Sequence, residues 1–308
     1  MKRSLVPLIL LAALPGCRRV RDHGEPAEKP APPSAAAADA APGPRSAHVP
    51  LLWQVTAPGG AHSHLLGTMH LGFDYEDLPP VVWQRFGDST AVVVEMDARQ
   101  MNGAAAAMVK ERSQLPAGQS LRSMVGEDGW KHMLETIGEL PVPEEMLDHM
   151  QPWAAMQLVL ARLYPTVLPL DLAILRDAEK GGKQLVFLET PEFQIDMVAA
   201  ITDAASLRDM VDDTSDARGL LAELVAAYTK GDVDALTRAA LDPGAYDDRP
   251  ETLERVVFAR NRDWVPKLSP LLDHGGAFVA VGAAHLLGDK GLLALLAARG
   301  YQLERVAP

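Results

Sequence analysis

The sequence predicts an α/β fold: a largely parallel central sheet with an N-terminal β-hairpin, flanking helices and a helical cap insertion. Three observations predict it. Short β-type apolar runs recur along the chain, and segments with apolar residues at three-to-four spacing separate them. Several of the runs are also apolar on successive residues, which suits strands buried on both faces.

In chain order, Leu51 to Val55, the turn signal Ala57-Pro58-Gly59-Gly60 and His62 to Gly67 form the hairpin. Ala91 to Val94, Gln184 to Leu188 and Ala277 to Val281 supply three core strands, and Tyr301 to Val306 adds a last one. Helical spacing covers Gln100 to Ser113, Gly126 to Gly138, Pro152 to Tyr164, Pro191 to Asp212, Thr214 to Thr229 and Pro250 to Leu268, several with Pro at the first turn. The helix-only middle from about Gly103 to Tyr164 reads as the cap.

The 308 residues carry 29 Lys+Arg against 41 Asp+Glu, a formal net charge of -12. This excludes a broad basic surface and with it a nucleic-acid partner. The one cysteine, Cys17, makes neither an internal disulfide nor a thiolate metal cluster.

Lys2 and Arg3, the apolar stretch Leu5 to Leu14 and a small residue before a cut describe a secretory leader over residues 1–16. The stretch is too short to cross a bilayer core of about 30 Å. Leu14-Pro15-Gly16-Cys17 resembles the bacterial lipobox, which implies that Cys17 becomes the first mature residue and is acylated, with palmitate among its chains. The blander alternative is plain secretion with a stray cysteine. Residues 17–49, rich in Ala and Pro, read as a disordered tether. At about 3.1 Å per residue it spans on the order of 90 Å. The expectation is a domain over 50–308, lipid-anchored in the bacterial cell envelope on the periplasmic face, with Arg18 after Cys17 favouring the outer membrane.

One local echo carries chemistry. Gly67-Thr68-Met69-His70-Leu71 and Gly282-Ala283-Ala284-His285-Leu286 share one form, each at a strand's carboxyl end. Glu95 follows Val92-Val93-Val94 and Glu189 follows Phe187-Leu188, so four polar residues fall at the sheet edge where α/β folds bind ligands. The two glycines suit strands that turn sharply. Two neutral imidazoles and a carboxylate suffice to hold a divalent metal with open positions, the arrangement that activates water. Singly, a strand-end His is more often a hydrogen-bonded loop residue, and a strand-end Glu a helix N-terminal charge. The doubling of the motif, with Glu95 at a third strand, favours the metal.

Other features read as structural. His62 and His64 share one face of a strand, which a solvated face of an edge hairpin explains; His23, His48, His132, His149 and His274 read as surface. Eight methionines crowd one third of the chain (Met96, Met101, Met108, Met124, Met133, Met146, Met150 and Met156), as an adaptable cleft under the cap or as core filler.

Leu66 to Gly72, Val93 to Asp97, Gln151-Pro152-Trp153, Leu188 to Gln194, Arg260-Asn261 and Val281 to Gly288 together resemble the successive signatures of the TraB/GumN family, over essentially all of residues 50–308. That family is grouped with the Tiki metalloproteases and, more distantly, with erythromycin-esterase-like and ChaN-like haem-binding proteins. The resemblance implies a metal held by His70, Glu95 and His285, manganese or cobalt before zinc. It places Arg260 and Asn261 along the pocket, the Arg to polarise a carbonyl or hold a carboxylate. Glu189 would be a further ligand or a general base, with Glu192 and Gln194 competing for the same cleft.

Two functions follow. One is a metal-dependent hydrolase, most of all a metallopeptidase, acting on a peptide or small-molecule substrate. The other is a tethered, non-enzymatic protein that binds or sequesters a peptide, a signal molecule or haem. Oligomeric state has no signal in the sequence.

Overall fold

The computed structural model describes residues 48–139, 142–164, 169–241 and 251–308. The leader, Cys17, His23 and the tether as far as residue 47 lie outside the described residues, as does residue 250 at the head of an expected helix.

The hairpin strands β1 (Leu52–Thr56) and β2 (His62–Thr68) are followed by α1 (Pro80–Asp88) and β3 (Ala91–Val94). The expected cap region holds α2 (Ala106–Arg112), α3 (Leu121–Ile137), α4 (Glu144–Asp148) and α5 (Pro152–Leu163). Next come α6 (Leu170–Lys180), β4 (Gln184–Phe187), α7 (Pro191–Ile201), α8 (Ala204–Asp212), α9 (Thr214–Lys230) and α10 (Val233–Ala240). A last long helix runs as α11 (Glu251–Leu253), a π-helical turn over Glu254–Phe258, and α12 (Ala259–His274). Strand β5 (Ala277–Gly282), a 3-10 turn over Ala283–Leu286, α13 (Leu292–Ala297) and β6 (Gln302–Arg305) close the chain.

The six strands form one sheet in the order β4-β3-β5-β2-β1-β6. The pairs β3–β4, β3–β5 and β2–β5 are parallel, whereas β1 lies antiparallel to both β2 and β6. All six expected strands are therefore present. Runs of fully buried residues, Ala91–Val94 and Ala277–Gly282, occupy the middle, as continuous apolarity requires. Leu185, Val186 and Phe187 of β4 are as apolar but only partly buried, and Gln184 is exposed, because β4 is the sheet's edge.

Helix boundaries follow local capping chemistry. Asp203 accepts from Ser206 N at 2.8 Å and starts α8, which splits the expected Pro191–Asp212 helix in two. Asp213 and Asp232 cap α9 and α10 in the same way. The helices α1, α4, α6, α10 and α13 do not figure among the expected helical ranges; each is short, 11 residues at most. The cap region packs α3 along α8 and sets α5 against α7 and α8.

Two histidine expectations need correction. The hairpin is not at an edge, since β5 flanks β2 and β6 flanks β1; His64 is half-buried near Arg85 of α1, while His62 is exposed. His48 is buried rather than on the surface, its ring 4.9 Å from that of Phe73 and 5.5 Å from that of Tyr228. Val49 N donates to Thr229 O, so His48 and Val49 already belong to the packed domain, two residues ahead of Pro50. Of the crowded methionines, Met96, Met101, Met133 and Met156 are core filler, and Met124 and Met146 are exposed.

Burial, with Arg85 nearby, pulls His64 down from 6.5 to about 4. The unfolded chain takes up that proton more readily, so the contribution is complete above pH 6.5 and is lost as pH falls through about 4. Melting temperature measured from pH 7 to pH 4 is expected to fall less steeply in His64→Val than in the natural chain; equal slopes would refute this.

Candidate functional site

Because β2, β5, β3 and β4 are adjacent and parallel, the loops after them leave one edge of the sheet. His70 lies two residues beyond β2, Glu95 directly follows β3, Glu189 lies two residues beyond β4, and His285 sits in the 3-10 turn after β5. A Cβ built on Gly282 would lie 3.3 Å from Glu95 Oε1, 3.3 Å from His70 Nε2 and 3.7 Å from His285 Cδ2. The three side chains meet over that glycine.

The motif glycines serve close approach and not a turn. Gly282 has φ -50°, and Gly67 is not among the positive-φ glycines. A Cβ on Gly67 would lie 2.9 Å from Leu286 Cδ1 and 3.2 Å from Ala283 Cα, so each motif's glycine makes room for the other motif.

Both imidazoles are oriented through Nδ1. Asp171, in the first turn of α6, accepts from His70 Nδ1 at 2.5 Å and from Thr68 Oγ1 at 3.2 Å. Asn261 Nδ2 donates to the backbone oxygens of His285 (3.1 Å) and Lys290 (2.9 Å), which leaves Asn261 Oδ1 to accept from His285 Nδ1 at 2.7 Å. With both Nδ1 atoms tied to acceptors, Nε2 is the nitrogen that each ring, once neutral, turns to a ligand. That is the tautomer a metal needs.

Arg260 occupies the centre, with its side chain 1% exposed. Nε donates to Glu189 Oε1 (2.8 Å), and Nη2 donates to Glu189 Oε2 (2.8 Å) and Glu95 Oε2 (2.6 Å). Nη1 donates to Val256 O (3.0 Å) and to His285 Nε2 (3.1 Å). All five N–H groups are used, and the guanidinium lies 4.7 Å over the Trp264 ring. The π turn runs directly into α12, ends two residues before Arg260 and includes Val256, and π turns of this kind are frequent at functional sites.

Gly282 N donates to Glu95 Oε1 at 2.8 Å, and Gln194 Nε2 bridges Glu95 Oε2 (3.2 Å) and Glu189 Oε2 (3.1 Å). Trp264 Nε1 also donates to Glu189 Oε1 at 2.9 Å, so that carboxylate accepts from three side chains. Burial opposes charge on Glu95, yet Arg260 and the two imidazoles hold its carboxyl far below the usual range. Burial and the neighbouring guanidinium lower His285 to about 3. For His70, burial is outweighed by Asp171, and its pKa is pushed up to about 9.

As the side chains stand, no three His, Cys, Asp or Glu residues among those described form a group that could hold a metal ion. His285 Nε2 is 3.9 Å from Glu95 Oε1, and its lone pair is taken by Arg260. The donor chemistry nevertheless suits a divalent cation. Asp171, Glu95 and Glu189 bring three carboxylates to the cluster, Asp171 paired with His70 and the two glutamates with Arg260, and each imidazole has its Nδ1 tied to an acceptor so that Nε2 is the nitrogen left for a ligand.

A cleft of about 690 Å³ opens beside the cluster. Glu189 and Trp264 belong to both, and Phe187, Phe193, Glu192 and Asp263 line its walls. Glu192 is exposed, whereas Gln194 reaches the cluster. None of the crowded methionines lines this cleft.

The structure thus brings together His70, Glu95, His285, Glu189, Arg260 and Asn261. Sequence reasoning missed Asp171, Thr68 and Trp264. A signal for Asp171 existed: it follows Pro169 in the first turn of a segment whose Leu170, Ala173, Ile174 and Ala178 mark one helix face.

No solved structure matches the chain significantly. It is similar to the proteins named "Uncharacterized protein YbaP" of Shigella flexneri and of Escherichia coli (strain K12), 26% identical to each over 257 residues that cover 79% of this chain and 90% of theirs. The TraB/PrgY/gumN family model matches residues 51–305. The chain belongs to the TraB/PrgY/gumN family.

Proposed function

We propose that this protein is a metal-dependent hydrolase, most of all a metallopeptidase, held to the periplasmic face of the bacterial envelope by lipid on Cys17. The observation that carries the catalytic reading is the meeting of His70 Nε2, Glu95 Oε1 and the His285 ring over Gly282, with each Nδ1 tied back to an acceptor. These three residues would hold the metal, manganese or cobalt before zinc, and the ion would supply Lewis acidity and lower the pKa of water at neutral pH.

The protein's own groups do the rest. Asp171 and Asn261 fix the ring orientations, as the outer partners of metal-binding histidines commonly do. The Gly282 amide and Gln194 hold Glu95. Glu189 links the cluster to the cleft, and its three donors suit it to holding Arg260 and Trp264 in place. The cleft, with Phe187 and Phe193 on its wall and Glu189 at its inner side, is where a peptide or small-molecule substrate would lie.

Metal content and peptide cleavage of the full chain test this reading. His70→Ala and His285→Ala are each expected to lose both; unchanged metal and activity in both would end it. Bound metal and tight peptide binding without turnover would point instead to a binding or sequestering protein.

Two substitutions probe the geometry. Gly282→Ala places a methyl about where the three side chains meet and is expected to abolish metal binding while shifting the melting temperature little. Asp171→Asn keeps the side-chain shape, but its amide can satisfy His70 Nδ1 only through Oδ1. It is expected to weaken metal affinity about 10–100-fold by calorimetry, and unchanged affinity would remove Asp171 from the site.

A further inference from the structure

His285 has one nitrogen to offer a ligand. Its Nδ1 is fixed on Asn261 Oδ1 at 2.7 Å, and Asn261 cannot turn its amide because Nδ2 is engaged with two backbone oxygens. The remaining Nε2 lone pair accepts from Arg260 Nη1 at 3.1 Å. Glu95 is divided likewise, with Oε2 on Arg260 and Oε1 on the Gly282 amide, and Oε1 and His70 Nε2 each lie 3.3 Å from where a Cβ on Gly282 would be. One lone pair cannot serve a guanidinium and a metal ion together, and arginine stays charged at all working pH values. Two cations a few ångströms apart in a buried site also repel each other more strongly than in water.

We infer that Arg260 is an internal cation that competes with the divalent ion for His285 Nε2, so that metal loading is an exchange of one cation's contact for another's. This inference rests on the metal reading above. The exchange breaks one bond of Arg260 and spares four: Nε and Nη2 stay on Glu189 and Glu95, and Nη1 keeps Val256 O. It also leaves one N–H of Nη1 without a protein acceptor beside the metal, the kind of donor that a developing oxyanion needs. Arg260 would then lower metal affinity and supply an oxyanion donor only in the loaded protein. A merely scaffolding Arg260 would do the opposite to affinity, because its removal would loosen Glu95.

The test is calorimetric titration of Mn²⁺ into the full chain after chelator treatment, comparing the natural protein with Arg260→Lys and Arg260→Met. Lysine keeps the charge but cannot span Glu189, Glu95 and His285 at once. Its Kd for Mn²⁺ is expected to fall about tenfold, the worth of one hydrogen bond to a charged group. Methionine leaves Glu95 and Glu189 uncompensated; Arg260→Met is expected to bind more tightly still, or, if unfolded in chelator, to regain its circular dichroism and a cooperative melt when Mn²⁺ is added. Binding in both variants equal to or weaker than in the natural chain, with no Mn²⁺ rescue of folding, overturns the inference and leaves the metal reading standing. Absence of Mn²⁺ binding in all three proteins overturns both.

Discussion

The buried guanidinium of Arg260 is the interaction on which the strand-end cluster depends. It gathers Glu95 from the end of β3, Glu189 from the end of β4 and His285 from the turn after β5, and it is itself placed by the long helix containing the π turn and α12. Removing one member of such a buried pair typically costs about 3–5 kcal/mol, because the remaining charge is left unsolvated. The cluster is therefore rigid where it is fully paired. Along its His70 side, where the ring is only partly buried, access is easier.

Stability and function draw on the same residues here in different ways. Gly67 and Gly282 let two loops interlock, at the cost of the backbone entropy that glycine loses on folding. The core strands β3 and β5, buried along their whole length, hold those loops at fixed spacing. Tyr228 on α9 adds a strut, its hydroxyl donating to Gly67 O at 2.9 Å. A site assembled from four strand ends needs such support, since an error of one ångström at any end would separate the donors.

The two histidines, alike in sequence context, are unlike in environment. His70 faces a carboxylate and His285 an amide and a guanidinium, so charge is favoured on the first and opposed on the second. The difference arises from residues about 100 and 24 positions away along the chain. No local pattern distinguishes the motifs in this respect. The same holds for His48: next to a Pro- and Ala-rich segment it reads as exposed, yet two aromatic rings enclose it.

The sequence by itself determined the fold class, all six strands, the placement of the histidines and glutamates at strand ends, and the family, because apolar periodicity and the repeated Gly-x-x-His motif are local signals. Tertiary structure alone decided that those strands lie side by side, that Asp171 reaches His70, that the glycines serve close approach, and that Arg260 spends all its donors on the cluster. These are contacts between residues distant in sequence, and their energies depend on burial and distance, which exist only once the chain has closed around them.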